Sequence, residues 1–189
     1  MKSIAFGFLA TAIAATSAIA GAPDVSKDKT TLPPVIPCFR DQELQLDIFG
    51  SYMNLPHGDR QEELGRNPGT NGGGGGVGIN YFFTRYIGLG ADGSLNSNRG
   101  GVWDYTGKLI VRFPIEMGSF CLAPYIFGGG GGQSYERHDG TVGAYMTGGG
   151  LEWRATPHIG VFTEGRYTWT SNGNNGDNAQ ARLGLRIAF

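Results

Sequence analysis

The sequence predicts an all-β protein, a barrel of eight antiparallel strands that follow one another up and down. Three observations lead to this prediction: apolar and polar residues alternate with a period of two from Glu43 onward, turn residues interrupt the alternation at intervals, and glycine is in excess. Glycine accounts for 34 of 189 residues, more than twice its usual share of ~7%. Since successive side chains of a strand point to opposite faces, each strand has one apolar and one polar face.

The N-terminal segment, residues 1–20, has the features of a secretory signal peptide. Lys2 precedes an apolar stretch, and Ala18 to Ala20 fit the small-x-small rule for cleavage. The stretch is shorter and less apolar than the ~20 residues of a transmembrane helix. Residues 21–41 are polar and contain several prolines, which predicts an extended periplasmic segment. The barrel is then expected to span residues 42–189.

Seven of the eight predicted strands have faces that can be assigned from the alternation. Their apolar faces comprise, in chain order, Leu44, Leu46, Ile48 and Tyr52; Val77, Ile79, Tyr81 and Phe83; Ile87, Leu89, Ala91 and Leu95; Trp103, Tyr105, Leu109, Val111, Phe113 and Ile115; Tyr145, Leu151 and Trp153; Ile159, Val161, Tyr167 and Trp169; and Leu183, Leu185, Ile187 and Phe189. The fifth predicted strand, from Phe120 to Tyr135, is too apolar and too rich in glycine for its faces to be assigned.

The connections between the predicted strands alternate in length. Those at 84–85, 116–119 and 155–158 are short, whereas those at 54–72, 96–101, 135–140 and 171–178 are mostly longer and polar. Short turns at one end and longer loops at the other are typical of a transmembrane barrel, in which the short turns are periplasmic. An even number of strands then leaves both ends of the barrel segment on the periplasmic side.

The position of the aromatic residues favours a transmembrane barrel over a soluble exported one, which stays open as an alternative. In a soluble barrel the apolar face would point inward and would have to accommodate Trp103, Tyr105, Tyr145, Tyr167 and Trp169. These residues lie near strand ends, where membrane barrels have their aromatic girdles. The opposite face consists mostly of Gly, Ser, Asn and charged residues, which suits the narrow interior of an eight-stranded barrel.

Three segments carry a resemblance to a known family. They are the closing strand from Ala181 to Phe189, Pro124-Tyr125 followed by the glycine run 128–132, and Glu164 to Tyr167. With them, residues 42–189 resemble the small eight-stranded outer-membrane barrels of Gram-negative bacteria, of the outer-membrane protein A and opacity-protein type. The resemblance implies a monomer that contacts outer-membrane lipids. It also implies recognition by the barrel-assembly machinery of a C-terminal signal, which is made up of Leu185, Ile187 and Phe189.

Charged residues on the polar faces are expected to point into the lumen. Six are acidic and six are basic, and because an unpaired charge in a narrow lumen is costly, we expect ion pairs that close it. A narrow pore lined by the arginines is the alternative. The predicted set is Glu43, Asp47, Asp92, Asp104, Glu152 and Glu164 with Lys108, Arg112, Arg154, Arg166, Arg182 and Arg186.

The two cysteines, Cys38 and Cys121, fall at predicted periplasmic strand ends. The periplasm is oxidising, so we hypothesise a disulfide between them, with two free thiols as the alternative. The first and fifth predicted strands lie on opposite sides of the barrel. A bond would therefore pull the proline-containing lead across the periplasmic mouth and partly close it.

No motif for catalysis, a cofactor or a metal is predicted. Some related barrels modify lipid A with a histidine and a serine near the outer rim, but His57, His138 and His158 show no His-x-Ser spacing on one strand. The glycine runs lack the Gly-Lys-Ser/Thr ending and the following helix of a phosphate loop, so we expect them to permit tight coiling and close packing. A formal net charge of −1 argues against nucleic-acid binding.

The expected function is therefore a structural or surface-interaction role in the outer membrane, without enzymatic activity. The longest predicted loop, residues 54–72, is polar and charged. It would be either a solvated loop or the binding surface for an extracellular ligand, since binding often resides on loops above a rigid scaffold. A narrow pore and a lipid A-modifying enzyme are the alternatives.

Overall fold

The computed structural model describes residues 37–54, 71–97, 101–118, 120–135, 141–171 and 177–189. The predicted signal peptide, most of the predicted periplasmic segment and most of loop 54–72 lie outside these residues. Within the described residues, no helix is long and apolar enough to cross a membrane.

The described strands form one closed antiparallel sheet. Its order is β4-β3-β2-β1-β9-β8-β7-β6-β5, and β4 also pairs with β6, which closes the barrel. The strands are β1 (Glu43–Asn54), β2 (Asn71–Phe82), β3 (Ile87–Asn96), β4 (Val102–Arg112), β5 (Ile115–Met117), β6 (Phe120–Tyr135), β7 (Thr141–Arg154), β8 (Ile159–Thr170) and β9 (Asn178–Ala188). The predicted up-and-down, eight-stranded barrel is confirmed, with β4 and β5 as two parts of its fourth strand.

Two strand boundaries differ from the prediction. The fourth predicted strand is interrupted after Arg112, because Pro114 has no N–H to continue the ladder. The predicted connection 54–72 reaches Gly72, but β2 begins at Asn71, so the whole glycine run 72–76 belongs to the strand and pairs with β1. Glycine propensity alone would not place a strand there, and the pairing with β1 overrides it.

The barrel exposes its apolar face and buries its polar one. Side chains of β8 alternate between exposed and buried along the whole strand, and Ile48 and Leu183 on neighbouring strands are more than 60% exposed. Among the described residues, 22 polar or charged side chains are buried, against 14 apolar ones. This is the reverse of a water-soluble protein, in which large apolar side chains are mostly inside. It is the arrangement expected of a barrel whose outer surface faces lipid.

Aromatic residues lie on the outer surface near both ends of the barrel. We call the end with turns 83–86 and 155–158 the short-turn end, and the end where β1 and β8 terminate the long-loop end. Trp103 and Tyr145 are 52% and 63% exposed near the long-loop end, and Phe83 and Trp153 are 50% and 44% exposed near the short-turn end. Amphipathic rings at these two levels are typical of membrane interfaces.

Glycines on the inward face provide the space for five inward-pointing rings. Gly184 pairs with both Phe49 and Phe162, and a Cβ there would lie 2.7 Å from Phe49 Cβ and 2.8 Å from Phe162 Cε1. The same cross-strand pairing of glycine and ring occurs for Gly88 with Phe82, Gly150 with Tyr125 and Gly148 with Phe127. Part of the glycine excess therefore serves close packing inside the barrel.

Candidate functional site

All twelve charged residues predicted to point into the lumen are buried there, each 7% exposed or less. They lie at inward positions of β1, β3, β4, β7, β8 and β9. The period-two alternation places them there, since one polar face continues around the closed sheet. The structure separates them into two groups of six, each with three acids and three bases.

The short-turn group is formed by Glu43, Asp47, Arg112, Glu152, Arg154 and Arg186. Arg186 donates from Nε and Nη2 to the two carboxylate oxygens of Asp47, both at 2.7 Å, and from Nη1 to Glu152, also at 2.7 Å. Arg154 donates to both oxygens of Glu43, at 2.6 and 2.8 Å, and to Glu152 at 2.6 Å. Bidentate pairs of this kind fix both partners in geometry.

The long-loop group is formed by Asp92, Asp104, Lys108, Glu164, Arg166 and Arg182. Asp92 lies at its centre, with Arg182 at 2.8 Å, Lys108 at 3.1 Å and Arg166 at 3.4 Å. Arg166 also pairs with Asp104 at 3.0 Å. Glu164, the third acid of the group, lies 3.5 Å from both Lys108 and Arg182.

No ion pair joins the two groups in the described part of the chain, where every pair is made within one group or with Arg40. With all side chains ionised, each group is neutral by itself. Burying two neutral groups costs less free energy than burying all the acids in one cluster and all the bases in another, because each charge has its counter-ions next to it.

An apolar layer accompanies the two groups inside the barrel, and sequence analysis missed it. It comprises Phe49, Phe82, Ile110, Tyr125, Phe127, Met146 and Phe162, all buried. Five of them pack as one cluster, and the rings of Phe49 and Phe162 meet edge to face at 6.3 Å between centroids. The inward face was expected to consist mostly of Gly, Ser, Asn and charged residues, and these seven side chains add an apolar part to it. Their positions could have predicted this direction, because Phe49, Phe82 and Phe162 occupy the same face of their strands as the polar residues.

Cations of both groups stack on rings of the apolar layer. From the short-turn group, Arg112 lies 3.7 Å from the ring centroid of Phe82, and Arg186 lies 4.5 Å from that of Phe162. From the long-loop group, Arg182 lies 4.4 Å from the ring centroid of Phe49. A guanidinium on a ring face is stabilised by the ring quadrupole, so these contacts offset part of the cost of burial.

The two cysteines form a disulfide in the structure, with a Cα–Cα distance of 6.1 Å. Cys38 precedes β1 and Cys121 begins the inward face of β6, and the segment 37–41, which we call the strap, is held against the short-turn end. Phe39 of the strap is 1% exposed, and the guanidinium groups of Arg112 and Arg154 lie 4.9 and 4.4 Å from its ring centroid.

Backbone contacts hold the strap in addition to the disulfide. Arg154 donates to the carbonyl of Cys38, and Arg112 donates to the carbonyl of Arg40 at 3.4 Å. The N–H of Phe39 donates to Glu116 at 3.2 Å. Arg112 and Arg154 of the short-turn group thus take part in the ion pairs of the lumen and also bind the strap.

The residues of the predicted assembly signal lie on the lipid-facing surface. Leu185, Ile187 and Phe189 are 57%, 41% and 59% exposed. The N–H of Phe189 donates to the carbonyl of Leu44 at 2.8 Å, which continues the pairing of β9 with β1 to the last residue. The terminal side chains are therefore accessible from the side of the barrel.

Of the three histidines, His57 and His138 lie outside the described residues. His158 lies in the turn between β7 and β8, and its Nδ1 is 2.9 Å from the carbonyl oxygen of Ala188 in β9. Ser134, near the long-loop end, exchanges a hydrogen bond with Thr141 at 2.8 Å. In the same residues, no group of three or more His, Cys, Asp or Glu could hold a metal ion.

Comparison with known proteins gives structural matches but no sequence match. No protein-family model matches the chain, and no curated protein matches its sequence. The N-terminal β-barrel domain of Pseudomonas aeruginosa OprF is similar with a TM-score of 0.59 and 15% identity, over 79% of this chain and 99% of that one. A de novo designed transmembrane β-barrel gives 0.52 and 14%, over 79% and 98%. Ail, the attachment invasion locus protein of Yersinia pestis, gives 0.51 and 13%, over 79% and 99%.

These similarities concern the fold. The chain has the fold of the small outer-membrane β-barrels, as its sequence predicted. Its exposed apolar belt is consistent with the predicted location in the outer membrane.

Proposed function

We propose that this outer-membrane barrel has a structural or surface-interaction role in the cell envelope, with a lumen that is closed to solutes. The observation that carries the proposal is the arrangement of the twelve buried charges in two neutral groups, in which every carboxylate lies within 4 Å of a cation. Such groups fill a narrow lumen, and separating a buried pair costs several kcal/mol.

The strap adds a second obstacle at the short-turn end. Phe39 of the strap is buried against Cys121 and Ala123, and the arginines that could line a pore are engaged with carboxylates or with strap carbonyls. A pore lined by free arginines would instead leave guanidinium groups in contact with water. These contacts support a closed barrel over the narrow-pore alternative.

The test is conductance of the purified protein in planar bilayers, with a porin reconstituted under the same conditions as the positive control. Folding is first checked by gel mobility, since a folded barrel in detergent migrates differently before and after boiling. We expect the porin to give discrete current steps and this protein to give none. Steady single-channel currents from the folded protein would overturn the proposal in favour of the pore.

The absence of enzymatic activity is part of the proposal and has its own test. Mass spectra of lipid A from cells with and without the protein are expected to be identical. A mass difference that depends on the protein would favour the lipid A-modifying alternative.

The remaining parts of the proposal concern partners. We propose that Leu185, Ile187 and Phe189 form the signal for the barrel-assembly machinery, supported by their exposure on the outer surface.

We also propose that loop 54–72 carries any extracellular binding. Replacing residues 56–69 by a Gly/Ser linker should abolish binding to host cells or matrix and leave the gel-mobility shift unchanged. Equal binding by both proteins would remove the surface-interaction role from this loop.

A further inference from the structure

The apolar layer lies between the two ion-pair groups along the strands that contribute to both. On β4, Ile110 is the inward residue between Lys108 of the long-loop group and Arg112 of the short-turn group. On β9, the inward residue between Arg182 and Arg186 is Gly184, whose missing side chain makes room for the rings of Phe49 and Phe162. Any path along these strands from one group to the other passes apolar side chains.

The long-loop group retains polar atoms that can bind water. Among its buried side-chain atoms, Nε of Arg166 and Nη2 of Arg182 have no hydrogen-bond partner within the protein. Asp92 has three cations within 3.4 Å, so its pairs can be exchanged one at a time without leaving it unpaired. Polar groups of this kind can hydrate and rearrange.

The apolar layer offers water few groups to bind, one of which is the unpartnered Oδ1 of Asn80 next to Ile110. Phenyl rings and aliphatic side chains have no hydrogen-bonding groups, and the hydroxyl of Tyr125 is directed to Glu164 at 3.3 Å. A narrow apolar constriction excludes water by dewetting, and an ion crossing it must also lose its hydration shell. The cations stacked on its rings from both sides hold those rings in place.

We propose that this apolar layer, rather than either ion-pair group, is the main barrier to water and ions in the lumen, and that the ring pair of Phe49 and Phe162 next to Gly184 is part of it. The inference rests on the proposed function, since it explains how a closed lumen is closed. The ion-pair groups and the strap are lesser barriers in series with it. When barriers act in series, the largest one determines the permeability. Removing the apolar layer alone should therefore raise the permeability of the lumen, whereas removing an ion-pair group or the strap alone should leave it unchanged.

The first test compares two pairs of Phe→Ala substitutions on opposite faces of the barrel. Phe49→Ala with Phe162→Ala opens the layer. Phe83→Ala with Phe113→Ala removes two lipid-facing rings that are 50% and 53% exposed, and serves as the matched control. Osmotic water permeability of proteoliposomes is measured by stopped-flow light scattering. The layer variant should exceed protein-free liposomes, whereas the wild type and the control variant should equal them.

Two further variants separate the apolar character of the layer from simple packing. Phe49→Leu with Phe162→Leu keeps the layer apolar and should stay impermeable. Ile110→Asn adds an amide to the layer without removing a ring, and should conduct water even if the double Ala variant fails to give a folded gel-mobility shift.

The ion pairs provide the opposing test. Asp104→Asn with Arg166→Gln removes both charges of one pair and leaves the long-loop group neutral, so we expect permeability equal to that of the wild type. Leakage of this variant would overturn the inference, as would impermeability of both the double Ala variant and Ile110→Asn in folded form. A wild type that is itself permeable would instead refute the proposed closed lumen, so the two failures are distinguishable.

Discussion

Arg186 is the residue whose loss should most disturb the short-turn group. It binds both oxygens of Asp47 and one oxygen of Glu152, each at 2.7 Å, and its guanidinium lies 4.5 Å from the ring centroid of Phe162. Arg186→Met keeps an apolar side chain of similar length. It leaves three buried carboxylates to share the two guanidinium groups of Arg112 and Arg154.

The expected cost follows from what each carboxylate retains. Asp47 keeps one hydrogen bond, from Asn80 at 2.8 Å, but loses the one cation that it pairs with among the described residues, whereas Glu152 keeps Arg154 at 2.6 Å. Removing one partner of a buried ion pair costs about 3–5 kcal/mol, and we expect Arg186→Met to reduce the free energy of unfolding by about this amount. Adding Asp47→Asn restores a neutral group, so the double variant should recover about 1–3 kcal/mol of the loss.

Unfolding is measured in denaturant with the protein in lipid vesicles, followed by the fluorescence of the three tryptophans, which all lie on the lipid-facing surface. Arg85→Met, at an exposed turn position, is the matched control and should change the free energy of unfolding by less than about 0.5 kcal/mol. Additive losses in the double variant, or an Arg186→Met loss no larger than that of Arg85→Met, would refute the argument from buried pairing.

Two further predictions concern close packing and the strap. Gly184→Val should reduce the free energy of unfolding by about 1–3 kcal/mol, because its Cβ would overlap the backbone oxygen of Ile48 and the side chains of Phe49 and Phe162. Gly165→Ala, which meets nothing within 4 Å, should have little effect, and equal losses in the two would contradict the packing argument. Cys38→Ser with Cys121→Ser removes a link between residues 83 positions apart, and should cost about 2–4 kcal/mol in the same assay; an unchanged unfolding midpoint would show that the strap contacts suffice alone.

The faces of seven strands followed from period-two alternation, because in a closed barrel each inward position repeats every second residue. The faces of β6 could not be assigned in this way, because apolar and polar residues do not alternate there. In β6 the run Gly128 to Gly132 has no contrast between faces, and only the register with β4 and β7 turns Tyr125 and Phe127 inward. The alternation does not predict the inward phenylalanines of the other strands, because an apolar residue in this pattern indicates the lipid-facing side.

The partners of the inward charges could not be deduced from the sequence. Glu152 and Arg186, and Glu164 and Arg182, pair across neighbouring or nearby strands as their common face suggests. Arg166 instead pairs with Asp92 and Asp104 on the far side of the barrel. Which charges meet depends on how the strands are staggered when the sheet closes, and the stagger is a property of the whole ladder.

The sequence by itself determined the all-β barrel, the lipid-facing belt and the inward direction of twelve charged residues. These features depend only on the local alternation and on the fact that apolar side chains are stable against lipid whereas charged side chains are not. The tertiary structure alone decided that the charges divide into two neutral groups and that an apolar layer lies between them. It also decided that glycines on neighbouring strands make room for the inward rings. These features arise when residues as far apart as Asp47 and Arg186, 139 positions in the chain, are brought together by closure of the sheet.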